Sequence, residues 1–176
     1  MTERAPTPYH VLFLCTGNSA RSIIGEALLR DMNATTGGGR FRAFSAGSKP
    51  TGTPHPDALA ELERRGISTN GLRSKSWDEF AGDGAEPVDL VVTVCDAAAD
   101  ETCPVFHGAG MRVHWPLPDP AAIENAQSRK RAFSDVFEVS QKRLDQLVRL
   151  PAASLKERQA IQAIADAVKP DIQPSA

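Results

Sequence analysis

The sequence predicts an α/β fold built on a parallel sheet with helices packed over both of its faces. Two observations carry that expectation. Short apolar runs alternate with longer segments of helical periodicity, and such alternation favours parallel strands joined by right-handed crossovers. The runs over residues 10–15 and 89–95 are also apolar along most of their length rather than at every second residue, as strands buried on both faces are. A third observation points to the site. Two of the three cysteines close such runs, and open α/β sheets bind their ligands beyond the carboxyl ends of the strands.

Residues 10–15, with Val11-Leu12-Phe13-Leu14 running into Cys15, read as the first strand. Residues 22–34 follow as a helix, with Ile23, Ile24, Ala27, Leu28 and Met32 at helical spacing. Residues 35–39 break it: Gly37-Gly38-Gly39 is a flexible loop that lacks the glycine spacing of a dinucleotide site. Residues 41–46 form a second short strand. Thr53-Pro54-His55-Pro56-Asp57 leads into a helix over residues 57–65, with His55 shaping the turn or capping the helix and Gly66 closing it. Residues 68–84 are polar and irregular apart from one short helix near 78–81. Residues 89–95 and 111–115 are the third and fourth strands, and prolines make 116–120 a stiff loop. From Ala121 onward the pattern is helical, with Phe133, Phe137, Leu144, Leu147 and Val148 in one stripe, until Leu150-Pro151 interrupts it. Residues 154–168 read as a last helix, capped by Ser154 with Glu157 three residues on. The expectation is a single domain over residues 9–168 between flexible tails at 1–8 and 169–176.

At 176 residues the chain is long enough to bury a real core. A hydrophobic share of 41%, a charged share of 24% and a net charge of −2 describe an ordinary globular protein with no attraction to nucleic acid or a membrane surface. Residues 1–8 carry charges and two prolines around no apolar centre, so no export signal is expected. No apolar stretch approaches membrane-spanning length. Three cysteines, an odd number, argue against a structural disulfide framework. The expectation is a monomer in the cytoplasm, with thiols reduced at rest and any disulfide transient.

Cys15 opens Cys15-Thr16-Gly17-Asn18-Ser19-Ala20-Arg21-Ser22 at a strand-to-helix junction. The N–H groups of such a loop can converge on one point, and the helix N-terminus adds positive potential, so the loop suits a tetrahedral oxyanion. Gly17 frees the backbone, and Arg21 offers a planar fork for two oxyanion oxygens. The same field stabilises negative charge on the Cys15 sulfur, the form that attacks. Ser19 and Ser22 are placed to donate to that sulfur or to cap the helix, and Asn18 to stiffen the loop. Cys95 closes the third run as Cys15 closes the first. Were those strands neighbours, about 4.8 Å apart, the two thiols would share one site, near the roughly 7 Å that a disulfide allows between Cα atoms. Cys95, Cys103 and His107 lack the close cysteine pair and the fourth ligand of a zinc site.

Residues 11–22 resemble the signature of the low-molecular-weight protein tyrosine phosphatases and of the thioredoxin-coupled arsenate reductases on the same fold. The resemblance extends over Phe44-Ser45-Ala46-Gly47, residues 52–66, 91–104 and 114–121, and spans residues 9–150. It implies a three-layer, phosphotyrosine protein phosphatase I-like fold around a four-stranded parallel sheet of order 2-1-3-4. It makes Asp119, in Asp119-Pro120, the general acid. The phosphatases resemble one another in aromatic residues after that Asp-Pro. Here Ala121-Ala122-Ile123 follows and the only tyrosine is Tyr9, which leaves no aromatic wall for a phenyl ring. The pair Cys95 and Cys103-Pro104, and His114-Trp115, resemble the reductase branch instead.

What that branch implies is a relay. Cys15 attacks arsenate; Cys95 attacks Cys15, releasing arsenite and leaving a Cys15–Cys95 disulfide; Cys103 moves the disulfide to Cys95–Cys103, where a thioredoxin-type donor or a small thiol reduces it. A continuous helix from Cys95 to Cys103 would hold their Cα atoms about 12 Å apart. The segment, helical around Ala97-Ala98-Ala99 when reduced, must therefore rearrange. Part of the family holds potassium. Asn18, Glu26 and Ser45 match three of its ligands, but the aspartate expected near residues 74–77 has no counterpart, and Lys75 stands there as another source of positive charge. Three classes stay open: the reductase, a phosphatase in which Cys95 and Cys103 protect Cys15 by reversible oxidation, and a non-enzymatic redox sensor that holds an oxyanion.

Overall fold

A computed structural model describes residues 6–36, 38–108 and 110–171; the outer parts of both expected tails, and Gly37, lie outside the described residues. Strands β1 (Tyr9–Cys15), β2 (Phe41–Gly47), β3 (Leu90–Thr93) and β4 (Met111–His114) form one sheet in the order β2-β1-β3-β4. Every pairing is parallel. The order follows from burial: β1, whose residues from His10 to Cys15 are all buried, takes a central place, while the partly exposed β4 takes an edge. Alternate β1 residues serve opposite faces. Val11, Phe13 and Cys15 join a large core with helices α1 (Arg21–Thr35), α2 (Pro56–Arg64), α4 (Ala126–Arg149) and α5 (Arg158–Ala167). Leu12 and Leu14 join a smaller one with Phe80, Val88 and Phe106 on the other face. Between β3 and β4 lies the five-residue helix α3 (Asp96–Asp100).

Helix boundaries follow local chemistry. His55 caps α2, its Nδ1 accepting from the Asp57 N–H at 3.1 Å. Gly66, at φ 75°, takes the left-handed turn that ends the helix. α4 starts later than the periodicity suggests. Asp119 caps a 3₁₀ turn over Pro120–Ala122, and Asn125 caps α4 by accepting from the Ser128 N–H at 2.9 Å. The last helix also begins late: residues Ser154–Lys156 form a separate 3₁₀ turn, and the Ser154–Glu157 capping pair does not form. Buried Leu155 anchors that turn, and its carbonyl accepts from the Tyr9 hydroxyl at 2.8 Å, a partner on β1.

One charged residue sits inside the apolar stripe of α4. Arg143 is 2% exposed and donates to the carbonyls of Trp115 and Pro116, both at 3.1 Å, and of Val168 at 2.9 Å. Burial pushes its pKa down to about 10. Three carbonyl dipoles satisfy it, and in return it braces the chain that leaves β4 toward Asp119.

Candidate active site

The loop between β1 and α1 is shaped from outside. The carbonyls of Thr16, Gly17 and Ser19 accept from the N–H groups of Lys49, Thr51 and His55 at 2.9, 3.0 and 2.8 Å. With the carbonyls held outward, the loop's N–H groups are left for its inner side, the arrangement an oxyanion needs. Asn18 closes the turn at φ 44°, a left-handed conformation that asparagine tolerates. Its N–H donates to Cys15 Sγ at 3.2 Å, and its side-chain amide donates to Ser22 Oγ at 2.8 Å. The Ser22 hydroxyl lies 2.8 Å from the same sulfur. Of the two serine roles predicted, Ser22 thus takes the sulfur contact; neither caps α1, whose first turn lacks a side-chain cap. Ala20 packs into the core.

Gly47 and the segment after β2 were invisible as site residues in the sequence. A Cβ at Gly47 would stand 2.4 Å from the Thr16 carbonyl oxygen and 3.0 Å from the Asn18 nitrogen, so only glycine lets β2 pass this close beneath the loop.

Arg21 and Asp119 meet beside this loop. Arg21 donates to the Leu117 carbonyl at 3.0 Å, and its guanidinium lies 3.7 Å from the Asp119 carboxylate. Asp119 is fixed at its other oxygen by the Ala121 N–H at 3.0 Å. The acid loop is therefore tethered by Arg21 at Leu117 and by Arg143 at Trp115 and Pro116, and the Asp119 side chain remains about half exposed.

β1 and β3 are neighbours, with Leu14 opposite Thr93, so Cys15 and Cys95 end up at adjacent strand ends. Both are buried at 4% exposure, and all three cysteines are free thiols. Thr16, next to Cys15 in the chain, reaches the second thiol: its hydroxyl lies 3.7 Å from Cys95 Sγ and donates to Glu101 at 3.5 Å. Cys95 caps α3, its sulfur accepting from the Ala98 N–H at 3.3 Å. α3 stops at Asp100, so Cys103 lies beyond the helix, partly buried, with its sulfur 2.6 Å from an Arg112 guanidinium nitrogen. His114, on β4, lies 2.8 Å from the Thr93 hydroxyl and 2.9 Å from Asp96 at the start of α3.

Asn18, Glu26 and Ser45 also converge, but on a residue of the protein itself, Lys75. Asn18 Oδ1 accepts from the Lys75 N–H at 2.9 Å, and the Ser45 hydroxyl donates to Glu26 at 3.2 Å. Lys75 Nζ lies 3.4 Å from Ser45 Oγ and 4.0 Å from Glu26 Oε1, and both charged residues are 8% exposed. Burial pushes the Glu26 carboxyl up and the Lys75 ammonium down, each partly offset by the other. The Glu26 and Ser45 oxygens that a potassium ion would need face an ammonium group, and Asn18 Oδ1 is taken by a backbone N–H, so these residues do not fit the ion.

Residues 10–161 match the model of the low molecular weight phosphotyrosine protein phosphatase family. An arsenate reductase of Bacillus subtilis (strain 168) is 34% identical over 123 residues, which is 70% of this chain and 82% of that protein. A solved arsenate reductase in the phosphate binding state is 26% identical with a TM-score of 0.58, over 80% of this chain and 96% of that one. The thioredoxin-dependent arsenate reductase of Corynebacterium glutamicum is 26% identical with a TM-score of 0.60, over 82% of this chain and 62% of that one. Among the described residues no helix is long and apolar enough to cross a membrane.

Proposed function

The chain belongs to the low molecular weight phosphotyrosine protein phosphatase family, and we propose that within it this protein is an arsenate reductase drawing electrons from a thioredoxin-type donor. One observation supports the choice over a phosphatase: a second buried thiol, Cys95, follows the strand next to that of Cys15, with the Thr16 hydroxyl 3.7 Å from its sulfur. Similarity to arsenate reductases supports it, and so does the run Ala121-Ala122-Ile123 after Asp119-Pro120, which offers no aromatic wall.

Arsenate enters the loop of residues 15–22, its oxygens facing the loop N–H groups and the fork of Arg21, which exchanges its Leu117 contact for substrate. The Cys15 sulfur attacks arsenic, and Asp119 protonates the departing oxygen, which leaves as water. Cys95 then attacks Cys15 Sγ. The electron pair of the sulfur–arsenic bond stays on arsenic, which departs as arsenite, and a Cys15–Cys95 disulfide remains. Cys103 attacks Cys95 Sγ, the Cys95–Cys103 bond forms, and Cys15 leaves as a thiolate. The donor's dithiol reduces the last disulfide. The working form is a cytoplasmic monomer, and Lys75 takes the place of a bound potassium ion.

The test is arsenate-dependent NADPH oxidation in the presence of thioredoxin and thioredoxin reductase. Turnover in the wild type that is lost in Cys95→Ser and in Cys103→Ser supports the relay. Absence of arsenate turnover, with aryl phosphate hydrolysed equally by wild type and Cys103→Ser, would favour the phosphatase instead.

A further inference from the structure

Arg112 carries a charge that the mechanism above does not use. It lies on β4 opposite Val91 of β3, which fixes its backbone in the sheet. Its side chain crosses the segment between the second and third thiols. One nitrogen donates to Cys103 Sγ at 2.6 Å; the other donates to the carbonyls of Ala98 and Ala99 at 2.8 and 3.2 Å. Those carbonyls belong to the helix that Cys95 caps. Among the described residues Arg112 forms no ion pair with a carboxylate. Its charge is therefore directed at a sulfur and at two carbonyl dipoles, and it ties Cys103 to α3 and both to the sheet.

We propose that Arg112 is the positioning residue of the third thiol: it orients the Cys103 sulfur for attack, and it latches α3 until that sulfur is consumed. The role rests on the reductase reading above for the order of the thiols. The form of a thiol that attacks is the thiolate, and against it a guanidinium contact is charge-assisted and strong. When Cys103 attacks Cys95 Sγ, the Cys95–Cys103 bond forms, the Cys15–Cys95 bond breaks, and the electron pair leaves on Cys15. The sulfur facing Arg112 is then neutral, the charge-assisted contact is gone, and the latch weakens as α3 must unwind. Release is thus coupled to the step that needs it. Val105, two residues beyond Cys103 and 85% exposed, places the same segment at the surface where a protein reductant has access.

The experiment compares wild type, Arg112→Gln and Arg112→Lys in the full chain. The first readout needs no arsenate: alkylation of Cys103 by iodoacetamide at pH 7, followed at that residue by peptide mass spectrometry. Loss of the cation in Arg112→Gln slows it about tenfold, and Arg112→Lys, which keeps the cation without the fork, restores most of it. The second is hydrogen exchange in α3, which quickens in both variants because a lysine cannot span two carbonyls and the sulfur. The third is arsenite released in a single turnover without reductant, which both variants keep, while thioredoxin-coupled turnover falls about tenfold in Arg112→Gln. Cys103 alkylated at the wild-type rate in Arg112→Gln overturns the proposal whatever the substrate is. Slowed alkylation in a protein that turns over no arsenate upholds this contact and overturns the reductase reading alone. Should Arg112→Gln fail to fold, Arg112→Lys decides: unchanged α3 exchange refutes the latch.

Discussion

Replacing Lys75 by alanine tests whether the protein carries its own cation. The Lys75 ammonium is buried, donates to the Arg73 carbonyl at 2.9 Å, and faces Ser45 and Glu26. Removing it leaves the Glu26 carboxylate buried with one hydroxyl donor, and breaking a buried pair on one side costs about 3 kcal/mol. For a chain of this size that lowers Tm by about 6–12 °C. The alanine also frees the space that the ammonium filled, still walled by Glu26 and Ser45. Potassium then binds the variant. At tenfold excess over its dissociation constant it returns about 1.4 kcal/mol, or roughly 3–6 °C. The assay is Tm by calorimetry in potassium chloride against tetramethylammonium chloride at equal ionic strength. Wild type shows no difference between the salts, and the variant is stabilised by potassium alone. Burial raises the Glu26 pKa above its ordinary 4.5, so folding favours the protonated acid. That stabilisation is complete below about pH 4.5 and lost as pH rises through the folded value; the deficit of Lys75→Ala therefore narrows toward pH 4. A wild-type protein whose Tm or turnover rises with potassium specifically would refute the internal cation, and so would a variant that loses nothing at pH 7.

Two further outcomes are expected. Gly47→Ala forces a methyl against the Thr16 carbonyl and the Asn18 nitrogen; it costs about 2 kcal/mol of stability and at least a hundredfold in arsenate turnover, roughly the price of a misplaced reacting group. Near-wild-type turnover would mean that the loop is not held by β2. Asp57→Asn removes the 2.6 Å contact between the first turn of α2 and Arg129 of α4. Arg129 holds the Asp57 carboxyl below its ordinary 3.8, so its stabilisation is present above about pH 4 and lost as pH falls through the folded value. The variant melts about 2–4 °C lower at pH 7 for a loss of about 1 kcal/mol. Thermal scans at pH 7 and pH 2 check this, and an offset that persists at pH 2 would contradict it.

The fold was legible because its signals are local and repeated. The two central strands are short apolar runs, and the helical stripe at Phe133, Phe137, Leu144, Leu147 and Val148 is buried as its spacing implies. What local pattern misplaced were helix starts. Ser154 and Glu157 have the residue types of a capping box, but the Leu155 side chain goes to the core and its carbonyl to Tyr9, a partner 146 residues away. Propensity lost to a tertiary contact. Asp119 likewise caps its own 3₁₀ turn rather than introducing the long helix.

The site divides along the same line. Cys15, Asn18, Arg21 and Ser22 are neighbours in sequence, and strand-then-helix context was enough to bring them together. Cys95 needed one further fact, the adjacency of the first and third strands, which the register now gives. The residues that brace the site left no periodicity or motif of their own to read. Arg143 sits within an apolar stripe, where a cation contradicts the periodicity instead of completing it. Arg112 occupies an edge strand, where a charged side chain is ordinary. Lys75 lies in a polar segment, where only the resemblance singled it out, and its position opposite Glu26 and Ser45 shows what it reaches. In all three the informative quantity is what a long cationic side chain reaches, and that is set by strands and helices far away in sequence. Such residues become legible through one test that the sequence cannot apply: a buried or partly buried cation without a well-placed carboxylate must be satisfied by carbonyls, sulfur or a loosely held acid. Here those acceptors lie on the acid loop, on the third thiol and beneath the oxyanion loop.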